Sequence, residues 1–188
     1  EKIKVGLYLV NEVYQGVDLS KPEVGNPGIG GTEYNFITFP YYYMKFFDDV
    51  EFVFYAQIID TLPTKFKAIQ ATDVSNAAEK AKSDECDIFI YRPTQDKEGF
   101  DFLENLKTIQ IKTIAWIHNT PFKQLRLMAK HPYIARYVNV SKEQYDMLRD
   151  HPIIYKADMI CNGFDPKLYI PKEEVKKAFR ELSHIWHP

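Results

Sequence analysis

From Val5 onward, the stretch KIKVGLYLV (residues 2–10) runs almost without a polar break and is rich in β-formers. Such a run predicts a strand covered on both faces, as parallel sheets require. Comparable runs recur at 50–56 (VEFVFYA), 86–91 (CDIFIY), 113–118 (TIAWIH), 136–140 (RYVNV) and 157–161 (ADMIC), with a shorter one at 66–71 (FKAIQA). Between them the apolar positions fall into helical spacing. Residues 32–47 carry apolar side chains at 36, 37, 39, 43, 44, 46 and 47. Further helices are predicted over 73–85 with Asp73 as N-cap, over 99–107, over 141–150 with Ser141 and Gln144 at capping-box spacing, and over 172–182, which is amphipathic and charged. Pro40 falls inside the first helix and is expected to kink or split it near Thr38. Phe36, Phe39, Tyr43, Phe46 and Phe47 share most of one helical face and are expected to pack on the sheet, leaving Tyr41 and Tyr42 outside.

Strand and helix alternate from end to end, which predicts a single α/β domain with a mostly parallel sheet, right-handed crossovers and helices on both faces. Ligands of such sheets bind beyond the carboxyl ends of the strands. The loops that matter therefore follow residues 10, 91, 118, 140 and 161. The loop 11–29 is long, aperiodic and rich in Gly and Pro, the kind that is functional or mobile.

That loop ends in GIGGTE (28–33). It begins like the dinucleotide-binding fingerprint, but its sixth place is Glu33 and it does not directly follow its strand, so the fingerprint fails. No Gly-Lys-Ser/Thr follows, and a P-loop fails too. What remains is glycine leading into a helix, where unpaired N–H groups and the helix dipole favour an anion. Gly30 and Gly31 would let a phosphate or sugar press on the backbone, with Thr32 as cap and Glu33 in the first turn. A plain capped turn is the alternative.

Composition narrows the function. A net charge of −2 speaks against a nucleic-acid partner. Cys86 and Cys161 stand apart, with no Cys/His ligand spacing, so no metal is expected. Both thiols adjoin apolar strands and are expected to be buried in a reducing, cytoplasmic compartment. No apolar run approaches the ~20 residues that span a bilayer.

Four stretches in order, GGTE after the first strand, IAWIHNTP, VNVSKEQYDML and MICNGFDPKLYIP, give the chain its resemblance. Together they resemble the N-terminal, acceptor-side domain of a GT-B glycosyltransferase, most like glycosyltransferase family 4. The last stretch matches the family's segment through Asn162, Gly163, Phe164, Asp165, Tyr169 and Pro171. The resemblance implies a Rossmann-like domain over residues 1–171. Residues 172–188 would form a C-terminal helix or the start of the interdomain connection, and a second domain holding the nucleotide would lie outside the chain. It implies a retaining enzyme that moves a sugar from a nucleotide-sugar donor to a carbohydrate, lipid-linked or protein acceptor, without metal or other cofactor. The chain by itself would be inactive.

The resemblance makes His118 the catalytic candidate, bonding a sugar hydroxyl or supporting the reacting carbon through its carbonyl. Gly30 and Gly31 N–H groups would meet the leaving diphosphate. Thr32, Glu33, Tyr91, Arg92, Asn119 and Ser141 would complete donor-phosphate or acceptor binding, with Tyr91 and Arg92 facing the cleft from the end of a central strand. Asn162 and Gly163 would order the interdomain hinge. Lys123, Arg126 and Lys130 share a helical face that would meet anionic lipid at the inner side of a membrane, with a simple solvated face as the alternative. The sequence departs from many relatives at Asn119, where Asp is common, at Pro40 and in the length of loop 11–29. Two other readings stay open: a different Rossmann-like nucleotide-binding enzyme, or a non-catalytic sugar-binding module on the same fold.

Overall fold

The computed structural model describes residues 2–119 and 122–163. Its strands are β1 (Ile3–Leu9), β2 (Val50–Ala56), β3 (Lys67–Gln70), β4 (Ile88–Tyr91), β5 (Thr113–Ile117), β6 (Ile134–Asn139) and β7 (Ala157–Met159). The helices are α1 (Gly31–Phe46), α2 (Val74–Ser83), α3 (Lys97–Ile109), α4 (Leu125–Lys130) and α5 (Lys142–Asp146). The strands form one sheet in the order β3-β2-β1-β4-β5-β6-β7, every neighbouring pair parallel. This is a Rossmann-like α/β domain.

Each central strand feeds two cores because alternate side chains leave opposite faces. Leu7, Leu9, Phe52 and Phe54 meet Phe36 and Ile37 of α1 together with Leu19, Ile29 and Phe66. Tyr8, Val53, Tyr55, Phe89 and Tyr91 face the other way, onto Ala77, Ala78 and Ala81 of α2, Phe102, Leu103 and Leu106 of α3, and Met128 of α4. The aromatic residues go largely into these two layers, with Tyr55, Tyr91, Tyr137, Phe36, Phe54, Phe89 and Phe102 among the largest fully buried side chains.

Helix α1 departs from expectation twice. It runs unbroken through Pro40, so the proline does not split it; near that point the Thr38 hydroxyl donates to the Tyr34 carbonyl at 3.0 Å. Its buried arc is Phe36, Ile37 and Pro40, so the proline ring serves as packing surface. Phe39 and Phe46 lie at the flank of that arc, and Phe47 lies past the helix end. They are 42%, 77% and 57% exposed. Of the five aromatics expected on the sheet, Phe36 is fully buried, Phe39 and Tyr43 set their rings edge-on against Phe52 of β2 while staying partly exposed, and Phe46 and Phe47 are largely exposed. Tyr41 and Tyr42, expected outside, are half-buried, with Lys45 over both rings and Lys65 over Tyr41. Cys86 is buried as expected, but Cys161, just beyond the short edge strand β7, is exposed.

Helices α2 and α3 start at aspartates that accept backbone N–H groups: Asp73 from Asn76 at 2.9 Å and Asp96 from Gly99 at 3.0 Å. Asp96 also accepts the Thr94 hydroxyl at 2.6 Å, which fixes the loop between β4 and α3. The hydroxyl and the amide hold its carboxyl below the usual carboxylate range. Replacing Asp96 with Ala is expected to cost about 1 kcal/mol, the typical value of an N-cap, and replacing it with Asn much less. Urea unfolding checks this: a lower midpoint for the alanine variant at unchanged slope.

Candidate active site

The sheet's strand order reverses between β1 and β4, so the crevice beyond their carboxyl ends is where an open parallel sheet takes ligands. The long loop after β1 forms one wall, and it is tied down. Asn11, fully buried, donates its backbone N–H to Gln57 Oε1 at 2.9 Å and its Nδ2 to the Ile58 carbonyl at 2.7 Å, and accepts the Ile58 N–H at 3.0 Å. Leu19 N–H donates to the Thr61 carbonyl at 2.9 Å. The Tyr34 hydroxyl donates to the Pro22 carbonyl at 2.8 Å. Asn26 Oδ1 accepts from Gly28 and Ile29 N–H at 2.9 and 2.8 Å, closing the turn that leads into Gly30.

Gly30 is the residue before α1, and its N–H donates to the Tyr14 hydroxyl at 2.9 Å. That corrects one expectation: the Gly30 amide is already occupied and does not face a ligand. Thr32 is corrected too, because the helix opens at Gly31 and Thr32 lies inside its first turn. Gly31 is exposed, with nothing within 4 Å of the position a Cβ would take. Glu33 is 13% exposed and turns back, one oxygen over Gly30 and the other 3.3 Å from Arg92 Nη1. Arg92 follows the last residue of β4 and is 28% exposed. The two charges share a small pocket with Tyr8, Leu9, Val10, Thr32 and Phe36.

Tyr91 does not join them. It is a core residue, its ring 4.6 Å from that of Phe102 on the far face of the sheet. Its hydroxyl has no partner in the structure, and burial pushes its pKa far above the usual phenol value. The strand alternates, so Tyr91 points inward where Arg92 turns out.

His118 sits just past β5, its ring 5.0 Å from Trp116 and 6.2 Å from Phe36. Its Nε2 is buried and has no hydrogen-bond partner. Burial first, and the positive charge of Arg92 second, push its pKa down to about 4, so the ring is neutral at physiological pH. Phe36 joins the two: it lines the pocket that holds Glu33 and Arg92, and its ring lies 6.2 Å from that of His118. Its backbone carbonyl accepts from Gln144 Nε2 at 3.2 Å. Gln144 is held in turn: its Oε1 accepts Val140 N–H at 3.3 Å and its N–H reaches Ser141 Oγ at 3.2 Å. Ser141 therefore acts as the cap of α5, as its spacing predicts, with its oxygen accepting the Gln144 N–H. Asn119 is exposed beside His118. Asn162 and Gly163 are exposed and close the described chain, while Phe164, Asp165, Tyr169, Pro171 and the helix expected over 172–182 lie outside the described residues.

Gly31, Glu33, Arg92 and His118 thus gather around the strand ends, while Tyr91 and Ser141 are absorbed by structure. Tyr14, Asn11, Gln57 and Gln144 hold the gathered residues in place. Gln144 was legible only as part of the α5 capping box, not as the partner of the His118 carbonyl. Tyr14, Asn11 and Gln57 were missed, and of these Asn11 alone left a signal, as a lone amide straight after an apolar strand.

No cluster of three or more His, Cys, Asp or Glu residues suited to a metal occurs among the described residues. Lys123, Arg126 and Lys130 are exposed around α4, and no helix among the described residues is long and apolar enough to cross a membrane. The chain matches no family model and no curated protein.

Proposed function

We propose that this chain is the acceptor-side half of a retaining GT-B glycosyltransferase, taking part in sugar transfer from a nucleotide sugar to an acceptor hydroxyl. The observation that carries the reading is the unpaired Nε2 of the neutral His118 ring, which shares Phe36 as a neighbour with the Glu33–Arg92 pair at the carboxyl ends of β1, β4 and β5. A buried nitrogen without a partner is costly in a folded protein; unlike the unpaired Tyr91 hydroxyl inside the core, this one lies at a strand end, where parallel sheets take ligands. A sugar hydroxyl would satisfy it. The ordered motifs GGTE, IHN, VS and NGFD support the same reading.

On this reading Gly31 and the first turn of α1 face the negative charge that grows on the leaving diphosphate. His118 orients the sugar without exchanging a proton. The second domain of such an enzyme supplies the nucleotide site. The test is transfer from radiolabelled nucleotide sugars, run on the full gene product and on the 188-residue chain alone against a panel of acceptors. The full product is expected to transfer sugar and the isolated chain to show no turnover above background. Robust transfer by the chain alone would overturn the half-enzyme reading, and no transfer by either with any donor would overturn the glycosyltransferase reading.

A further inference from the structure

The Glu33 carboxylate takes up the room that glycine leaves at position 30. A Cβ at Gly30 would collide with its Oε2 and stand 3.0 Å from the Tyr14 hydroxyl, although the backbone there has an ordinary φ of −58° that any residue adopts. A side chain at position 30 would therefore have to push the Glu33 carboxylate aside, and what approaches the glycine is an anion of the chain itself. The same carboxylate meets Arg92 at 3.3 Å, long for a charge-assisted contact, which is best at about 2.7–2.9 Å. Among the described residues Glu33 is the one ion-pair partner of Arg92.

We propose that the Glu33 carboxylate is a built-in stand-in for ligand: it occupies the anion position beside Arg92 and Gly30 in the free protein and is displaced when a ligand brings its own phosphate or carboxylate. The crevice then admits anionic groups in exchange for Glu33 and excludes neutral ones, which give Arg92 nothing for the partner it loses. The inference deepens the proposed function only in naming what enters this crevice. It does not require that sugar transfer follow.

The exchange fixes a sign. An internal competitor lowers apparent affinity by the fraction of molecules in which it occupies the site. Glu33→Gln keeps shape and removes the competing charge, so inorganic pyrophosphate should bind the chain more tightly than wild type, by roughly five- to tenfold if Glu33 holds Arg92 in about 80–90% of free molecules. Arg92→Gln should abolish binding, and Arg92→Lys, which keeps the charge but loses the planar fork, should weaken it. Glu12→Gln removes the same unit of charge from the exposed part of the loop and should change affinity by less than twofold. Titrations followed by calorimetry and by the amide resonances of Gly30 and Gly31 measure all four variants, with thermal melts confirming that each is folded. Inorganic phosphate in a parallel titration separates a diphosphate preference from a general anion preference.

Unchanged or weaker pyrophosphate binding by Glu33→Gln would make Glu33 a strut and overturn the proposal. Absence of binding by both wild type and Glu33→Gln would overturn it as well. The expected gain together with no sugar transfer by the full gene product would leave the exchange standing and remove the glycosyltransferase reading.

Discussion

On the proposed glycosyltransferase reading, His118→Ala is expected to lower the turnover of the two-domain enzyme by roughly 10²–10³, the usual loss for one preorganised polar contact to a transition state, while the melting temperature moves by only a few degrees. The small stability effect follows from two opposing terms. The variant loses the ring's contacts with Trp116 and Phe36. It also removes a buried nitrogen that has no partner, an atom whose lost hydration costs about 1–3 kcal/mol. Proton linkage supplies an independent readout. The folded pKa of about 4 lies below the ordinary value of 6.5, so the unfolded chain takes up the proton first. Stability linked to His118 is whole above pH 6.5 and is lost as pH falls from there toward 4. Melting temperature of the wild type should therefore decline over that window, and His118→Ala should decline less. His131 is also held low by burial and contributes part of the slope in both proteins. Near-normal turnover would show that His118 is not in the reaction, and a wild-type pH slope would show that it is not in a dry site.

The inner strands were readable because this sheet buries most of both their faces, so β1, β2 and β4 appear as apolar runs with little alternation to misread. β2 falls at the expected residues 50–56, and β3, the weakest run, is an edge strand at 67–70. The same property hid the orientation of the strand ends. In CDIFIY, nothing in the pattern says which face the last residue takes, and Tyr91 went into the core while Arg92 turned to the crevice. Helix α5 was expected to reach Asp150 and stops at Asp146. Its continuation tightens into bonds from Leu148 to the Tyr145 carbonyl and from Arg149 to the Asp146 carbonyl. Pro152, just ahead, disfavours helical backbone in the residue before it. The candidate site was legible as a set of strand ends, because parallel topology concentrates ligands there. Its internal pairings were not legible. Tyr14 reaches Gly30 across 16 residues of loop. Glu33 meets Arg92 only because β1 and β4 are neighbours in the sheet.

Gly31→Ala separates a ligand contact from a turn, and the two glycines differ in a way that makes it the informative change. At Gly30 a methyl group would disturb Glu33 and Tyr14 whether or not a ligand exists. At Gly31 the space is open, the residue is exposed, and φ is not positive, so alanine meets no steric objection. It stands at the first position of a 16-residue helix, where replacing glycine restricts the unfolded chain and stabilises by about 0.4–1 kcal/mol. The melting temperature should therefore hold or rise. Turnover should move the other way. If a diphosphate approaches the first turn of α1, the methyl group holds it off the N–H groups it would reach, and a loss of only ~1.4 kcal/mol in transition-state stabilisation is tenfold in rate. The expected result is a full enzyme at least as stable as wild type and at least about tenfold slower, with kcat carrying the loss because the charge develops in the transition state. Equal turnover at equal or higher stability would mean that nothing approaches Gly31, and the glycines serve only to seat Glu33 and start the helix.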